Sequence, residues 1–302
     1  MVKLVRVKEN PILTPSDLSW ENMLVFNPGA IMVEDKVYLI YRAMGKGDPH
    51  SRLGLATSLD GIHFERKKTP LYFGGGHPDE SLGIEDPRIV KIDDTYYITY
   101  TAVSEDLEAE VTIWKGKKPQ IALSTTKDFK TFVDYDVIIP NLLGKNASFF
   151  PKKINGEYWL LYRAGVGKTY FAKSTSLTHW QNAHQVFEQR PGMWDCVRTG
   201  IGPPPIETEK GWLLFYHGVD HTNKYGLGIM FLDRQNPREI LYRSPEPIFE
   251  PVEDWEKYGY VNNVVFTCGV IEKDDLYYVY YGAADSVIGV ATVEKKLVLN
   301  LF

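Results

Sequence analysis

An all-β, five-bladed β-propeller forming one domain over residues 1–302 is the fold this sequence predicts. Three observations predict it. One strand recurs five times: KVYLIYRA (36–43), TYYITYTA (95–102), EYWLLYRA (157–164), GWLLFYHG (211–218) and LYYVYYGA (276–283). Each copy follows a polar turn (VEDK, IDDT, INGE, TEKG, EKDD) and is rich in β-branched and aromatic residues, as a strand leaving a hairpin is. Helical periodicity is weak throughout, while aromatic residues make up 13% of the chain, concentrated in short strand-like runs. The tyrosine six places into each copy (Tyr41, Tyr100, Tyr162, Tyr216, Tyr281) marks the period, and a repeat of this length is the signature of stacked blades.

The elements follow in order. Ahead of each recurring strand lies an apolar one: NPGAIMV, DPRIVKI, ASFFPKKI, GPPPIET and NNVVFTCGVI. Behind each comes a third: RLGLATSLD, PQIALSTTKD, KTYFAKSTS, YGLGIMFLD and SVIGVATVE. Several of these run into a turn and edge strand of the DGIHF or DFKTF type. A piece of roughly 60 residues cannot bury a core alone, so five such pieces close into one ring.

Composition excludes several functions. A net charge of −5 and a pI of about 5.9 argue against nucleic acid as a partner. MVKLVRVKENPILTPSDL lacks an apolar core with a small-residue cleavage site, and no run approaches 18 apolar residues. The expectation is a cytoplasmic protein with no membrane partner. Two cysteines, Cys196 and Cys268, make neither a disulfide framework nor a metal site.

In a propeller the innermost strands line a central channel, so residues at equivalent strand ends converge there. The inner strands start at Asn27-Pro28-Gly29, Glu85-Asp86-Pro87-Arg88, Lys145-Asn146-Ala147-Ser148, Arg198 through Pro205, and Asn262-Asn263. The recurring strands end on Arg42, Thr101, Arg163 and His217, with Asp285 three residues past Gly282. Polar groups thus replace apolar ones at corresponding positions, which points to a polar central pocket.

Each residue alone has an ordinary reading. GIEDPRIV (83–90) is a charged turn in isolation, Lys145 and Arg198 are solvated cations, and His217 is a core histidine. Trp20, Trp114, Trp180, Trp194, Trp212 and Trp255 read mostly as packing residues. MGKGDPHSRLG lacks the strand–helix context of a phosphate loop. Blade position shifts the balance. At the inner edge of blade two, one carboxylate of GIEDPRIV is a candidate acid. Lys145, Arg163, Arg198, His217 and Tyr225 together form a clamp of donors suited to phosphate.

These motifs resemble glycoside hydrolase family 130. NPGA, YRA followed by SRLGLATSLDGIHF, GIEDPR, LLYRAG, GPPPI with GWLLFYHGV, and YYGAAD carry the resemblance in order, from Asn27 to Ala291. It implies a five-bladed propeller and an inverting β-mannoside phosphorylase, a glycosyltransferase-type activity, with some members acting as β-mannosidases. By motif, Asp86 matches the catalytic acid. Asn27, Arg42, Glu85 and Asp285 match residues that hold the sugar. Lys145, Arg163 and Arg198, with His217 and Tyr225, match the phosphate binders. The family more often carries Arg at 145 and Lys at 198, and a forked guanidinium and a point-charge ammonium are not equivalent.

The expected reaction is a β-mannoside plus phosphate giving α-mannose 1-phosphate with inversion, the proton passing through the mannose 3-hydroxyl. The expected linkage is β-1,4, in mannooligosaccharides or mannosyl-glucose. Phosphate is a co-substrate, and no cofactor or metal is expected. An inverting hydrolase needs a second carboxylate to activate water, whereas an anionic nucleophile needs only an acid and a cationic cradle. The alternatives are an inverting β-mannosidase on the same scaffold, a non-catalytic sugar-binding propeller, and a five-bladed furanosidase. A homo-oligomer is a further expectation, with VKLVRVKENPIL and KKLVLNLF as candidate interface segments.

Overall fold

A computed structural model describes residues 2–48, 50–71, 77–105, 116–165 and 167–302, except the side chains of 181 and 182. Trp114 lies outside the described residues. The chain opens with β1 (Val5–Arg6) and then builds blades of antiparallel strands, ordered from the channel outwards. Blade one is β2 (Leu24–Val33), β3 (Lys36–Met44), β4 (Arg52–Ser58) and β5 (Glu65–Arg66). Blade two is β6 (Ile84–Ile92), β7 (Thr95–Glu105), β8 (Lys117–Thr126) and β9 (Phe132–Val137). Blade three is β10 (Gly144–Phe149), β11 (Tyr158–Ala164), β12 (Lys168–Ser174) and β13 (Gln181–Phe187).

In blade four, β14 (Arg198–Ile201) and β15 (Ile206–Thr208) both pair with β16 (Gly211–Val219), followed by β17 (Tyr225–Leu232) and β18 (Ile240–Arg243). GPPPIET therefore does not form one inner strand. Pro203, Pro204 and Pro205 have no N–H to give the ladder, and they split it. After the short helix α1 (Asp254–Lys257), blade five is β19 (Val265–Lys273), β20 (Leu276–Ala283), β21 (Val287–Glu294) and, as its outermost strand, β1. Val5 pairs with Thr292 and Arg6 with Ala291.

The segment VKLVRVKENPIL thus completes its own propeller, with Val2 and Leu4 buried in the cluster between blades four and five. In the second candidate interface segment, helix α2 (Lys295–Leu299) buries Val298 in the same cluster, and Phe302 packs on Phe231 and Tyr242. Among the described residues, no helix is long and apolar enough to cross a membrane.

Each junction between neighbouring blades has its own apolar cluster, so the core is a ring around the channel. Ile40, Leu53, Ile89 and Ile98 join blades one and two, and Leu123, Phe149 and Leu160 join two and three. Phe150, Trp159, Trp212 and Leu214 join three and four, Phe215, Ile229 and Val279 join four and five, and Val37, Leu39, Tyr280 and Val290 close the ring.

The recurring tyrosine is explained by a second repeat. In blade one, Tyr41 donates to the buried Glu21 (2.6 Å), which also pairs with Arg66 on the outer strand (3.0 Å). Blade four repeats this with Tyr216, Asp195 and Arg243 (3.0 and 2.6 Å). Blade five repeats it with Tyr281, Glu256 and Arg6 (2.8 and 2.7 Å), the arginine coming from β1. All three carboxylates are fully buried. A tryptophan precedes each of them, and Trp20, Trp194 and Trp255 pack on Tyr41, Tyr216 and Tyr281 at 5.4–6.4 Å. The ring also needs space on the third strand. Gly54, Gly228 and Gly289 face these tyrosines, and a Cβ there would lie 2.3–2.6 Å from the ring.

Blade two keeps only Tyr100 on Glu80 (2.7 Å), with Ala122 opposite the ring. In blade three Tyr162 stacks on Tyr170 instead (5.7 Å).

Removing one partner of a buried ion pair strands the other charge, at a cost of about 3 kcal/mol. Arg6→Met should therefore lower stability by roughly that amount, whereas Lys8→Met, whose side chain is 90% exposed, should change it by less than about 0.5 kcal/mol. Urea denaturation of both variants checks this, and equal midpoints would remove β1 from the set of stabilising elements.

Candidate active site

Three backbone bulges aim the site. In blades one to three, two inner-strand residues stand opposite a single second-strand residue, and that residue is the recurring tyrosine. Asn27-Pro28 faces Tyr41, Asp86-Pro87 faces Tyr100, and Asn146-Ala147 faces Tyr162. Bulges of this kind turn a side chain out of the alternation of the strand. The first residue of each pair is left-handed, with φ of 48° at Asn27, 52° at Asp86 and 56° at Asn146, a region that Asn and Asp tolerate better than other side chains. All three line one cavity of about 170 Å³ at the end of the channel where the inner strands begin.

On one side of the cavity stand Asn27, Arg42 and Asp285. Asn27 Nδ2 donates to Asp86 Oδ1 (2.8 Å), and Arg42 Nη1 is 3.6 Å from the same oxygen. Arg42 Nη2 donates to Glu85 Oε1 (2.6 Å), and Lys145 Nζ donates to Glu85 Oε2 (2.6 Å). Both Glu85 oxygens are therefore held by cations. Burial pushes the Glu85 carboxyl up, but Arg42 and Lys145 overcome it and hold it at about 2. Among the described residues, no cation forms a salt bridge with Asp285. Burial raises its carboxyl to about 7, Asp86 and Glu85 push the same way, and Arg42 only partly opposes them.

On the other side stand Arg163, Arg198 and Tyr225. Arg198 Nη1 donates to the Tyr225 hydroxyl (3.1 Å). Burial lowers Arg163 to about 10, and Arg198 and Arg88 add to the lowering. Buried like charges lower one another in this way. Asp86 is within the electrostatic reach of both Arg42 and Arg163, between the two sides.

Arg88 spans the floor. Its guanidinium is 1% exposed and donates to the carbonyls of Asp86 (2.9 Å), Gly202 (2.7 Å) and Ile201 (3.0 Å). It thereby ties the bulge of blade two to blade four.

The sequence-expected residues divide in two. Asn27, Arg42, Asp86, Lys145, Arg163, Arg198, Tyr225 and Asp285 line the cavity. Glu85 lies behind the wall as the anchor of Arg42 and Lys145. His217 is fully buried, stacked on Tyr225 and packed at a tilt on Phe266. Burial, then Arg163, Arg88 and Arg198, press its imidazole well below the ordinary histidine range, so it is neutral and supports Tyr225 from behind.

Asn262 and Asn263 do not act as the inner edge of blade five. β19 starts later, and Val261, Val264 and Phe266 supply the wall there. Asn146 belongs to an inner-strand start named above but receives no role there, and these apolar residues are not read from the sequence. Asn146 was legible as a third Asn or Asp shortly before a recurring tyrosine, 16 residues ahead against 14 for Asn27 and Asp86. Among the described residues, no group of three or more His, Cys, Asp or Glu is placed to hold a metal ion.

Fold and pocket together define a five-bladed propeller with a polar, charge-lined cavity on its channel. A solved beta-1,2-mannobiose phosphorylase from Listeria innocua, in complex with beta-1,2-mannobiose, superposes with a TM-score of 0.86 at 30% identity, covering 98% of both chains. A second solved structure is described by the statement that the GH130 family of mannoside phosphorylases contains glycoside hydrolases that target beta-1,2 mannosidic linkages in Candida mannan. It has a TM-score of 0.87 at 30% identity, over 98% of this chain and 94% of that one.

The 1,2-beta-oligomannan phosphorylase of Thermoanaerobacter sp. (strain X514) is 42% identical over 306 residues, covering 98% of this chain and 99% of that one. The glycoside hydrolase family 130 model, described as beta-1,4-mannooligosaccharide phosphorylase, matches residues 5–302. The chain belongs to glycoside hydrolase family 130.

The two perturbed carboxyls have opposite effects on stability. Asp285 is raised on folding, so its contribution is full below about 3.8 and is lost as pH rises through about 7. Glu85 is depressed, so its contribution is full above about 4.5 and is lost as pH falls towards about 2. Asp285→Asn should therefore gain stability over the parent as pH rises from 5 to 8. Parallel melting-temperature profiles across that range would show that Asp285 does not hold its proton in the folded state.

Proposed function

We propose that this protein is an inverting phosphorylase of β-mannosides, releasing α-mannose 1-phosphate. The observation that carries the reading is the division of the cavity. Asp86, fixed by Asn27, faces a wall of Arg163, Arg198 and Tyr225 that includes no carboxylate among its described lining residues. A hydrolase needs a second carboxylate there to deprotonate water. Phosphate arrives already anionic and needs only the cations that this wall supplies.

In this reading the mannosyl ring sits against Asn27, Arg42 and Asp285, and phosphate against Arg163, Arg198 and Tyr225. A phosphate oxygen attacks C1 from the face opposite the leaving oxygen. The C1–O bond to the acceptor breaks, and the Asp86 proton, relayed by the mannose 3-hydroxyl, reaches that oxygen. The new C1–O bond to phosphate has the α configuration. Asp285, protonated near neutrality, donates a hydrogen bond to a sugar hydroxyl and leaves Asp86 with one unit less of opposing charge. Glu85 holds Arg42 and Lys145 at a fixed separation, which places Lys145 between the sugar side and the phosphate side.

The linkage expected from sequence, β-1,4, gives way to β-1,2. The Thermoanaerobacter relative and the Listeria structure, at 42% and 30% identity over nearly full length, are both described as acting on β-1,2-linked mannosides. The β-1,4 description belongs to the family model and to a Ruminococcus albus relative at the lower identity of 29%. We therefore place β-1,2-mannobiose and its longer homologues as the substrate class.

Incubating the protein with β-1,2-mannobiose should yield mannose 1-phosphate only when phosphate is present, and equal release of free mannose with and without phosphate would overturn phosphorolysis. Asp86→Asn should remain folded and lose about 10³-fold in kcat. Arg198→Ala should raise the KM for phosphate by about tenfold to a hundredfold and leave the KM for mannobiose within about twofold.

A further inference from the structure

The cavity is small for the substrate just proposed. At about 170 Å³ it falls below the roughly 300–1,000 Å³ of ordinary small-molecule sites, and it must take both a mannosyl ring and phosphate. The leaving sugar therefore lies outside it, on the rim.

One stretch of rim carries exposed aromatic and apolar side chains. Between α1 and β19 the chain presents Tyr258 (69% exposed), Tyr260 (59%) and Val261 (41%). Such an apolar cluster beside a polar pocket marks a binding surface. The segment leads into an inner strand, so it lies on the face where the cavity opens, and Val261 is itself part of the cavity wall.

The segment is also fastened to the turn that carries Asp285. Val261 N donates to Ala284 O (3.1 Å), Tyr260 N donates to Ser286 Oγ (2.9 Å), and Ala284 N donates to Val264 O (2.9 Å). Gly259 packs so closely there that a Cβ would lie 2.5 Å from Ala284 O. Asn262 Oδ1 accepts from Gly259 N (3.2 Å), and Asn263 N donates to Lys257 O (3.0 Å), closing the loop on itself. The two exposed tyrosines thus stand on a fixed platform rather than on a free loop, with Tyr260 next in the chain to a wall residue.

We infer that Tyr258 and Tyr260 form the acceptor platform, an aromatic surface that receives the apolar face of the leaving mannose. The inference rests on the phosphorylase reading and adds the part of the substrate the cavity cannot hold. A pyranose ring suits the site. It presents a face of C–H groups to an aromatic ring while its hydroxyls stay in water, and a tyrosine offers the same pairing of apolar face and polar tip.

Synthesis from α-mannose 1-phosphate and mannose separates the two halves of the substrate, and Tyr258→Ala, Tyr260→Ala and the double variant are compared with the parent. The expected result is a rise of about tenfold in the KM for acceptor mannose in the double variant, with the KM for α-mannose 1-phosphate within about twofold. An unchanged acceptor KM overturns the platform. So does sedimentation analysis showing the parent as an oligomer that the double variant dissolves while acceptor KM is unchanged, because the patch is then a contact between copies. Failure of the parent to make any disaccharide from α-mannose 1-phosphate counts against the phosphorylase reading instead. In that event, titration calorimetry of β-1,2-mannobiose into Asp86→Asn with and without the tyrosines still tests the platform, which fails if the two affinities agree.

Discussion

The hydrogen bond from the recurring tyrosine to a buried carboxylate is the interaction on which the site's geometry depends. A charge of that kind is tolerated at zero exposure only when its oxygens are taken up, and Glu21, Asp195 and Glu256 each have a tyrosine hydroxyl and at least one arginine. The tyrosine is thereby fixed from the connector before its blade, from the outer strand and, through the facing glycine, from the third strand. The inner-strand bulge that carries Asn27 lies directly across from Tyr41, and the bulge that carries Asp86 lies across from Tyr100, which donates to Glu80. Asn27, whose amide holds Asp86 at 2.8 Å, is thus backed by an ion-pair network on the far side of the second strand.

The five blades do not share this equally. Blades one, four and five hold the complete tryptophan–acid, tyrosine, glycine and arginine set, and they contribute Asn27, Arg42, Arg198, Tyr225 and Asp285 to the cavity. Blades two and three hold little of it and contribute Asp86, Lys145, Asn146 and Arg163. Besides the apolar clusters between blades one and two and between blades three and four, polar contacts on the channel axis tie the two groups together: Arg88 reaching Ile201 and Gly202, and Arg42 and Asn27 meeting Glu85 and Asp86. The buried charges of the pocket therefore position the substrate-facing groups and also hold unlike blades in register.

Much of this was legible in the sequence, because period-two strands and hairpin turns announce themselves locally. The five copies, their tyrosine and the convergence of Asn27, Arg42, Asp86, Arg163 and Asp285 follow from aligning the copies by eye. The Trp-acid dipeptides Trp20-Glu21, Trp194-Asp195 and Trp255-Glu256 were equally visible, but an exposed connector gives such residues no meaning until the fold buries them. Depth was not legible: His217 and Glu85 sit one layer behind the wall because of how rings and ion pairs pack, not because of where they fall in a strand. Register misled in blade five, where two asparagines imitate the inner edge of blade one but precede the strand. Linkage was out of reach, since it depends on the rim and not on the groups that touch the transferred sugar.

The pairing of Val5–Arg6 with β21 has a consequence for the order in which the molecule assembles. Its partners lie 285 and 287 positions later in the chain, so this is among the least local contacts in the fold. Contacts of such separation carry the largest loop-closure entropy and form late. On a ribosome the first blades have neighbours as soon as they emerge, but the ring cannot shut until blade five is made. Until then β1 has no strand to pair with, Arg6 has no Glu256, and Val2 and Leu4 lack the apolar cluster that buries them, a state whose lifetime is set by the rate of synthesis. The propeller is in that sense a clasp whose catch is made first and whose hook is made last.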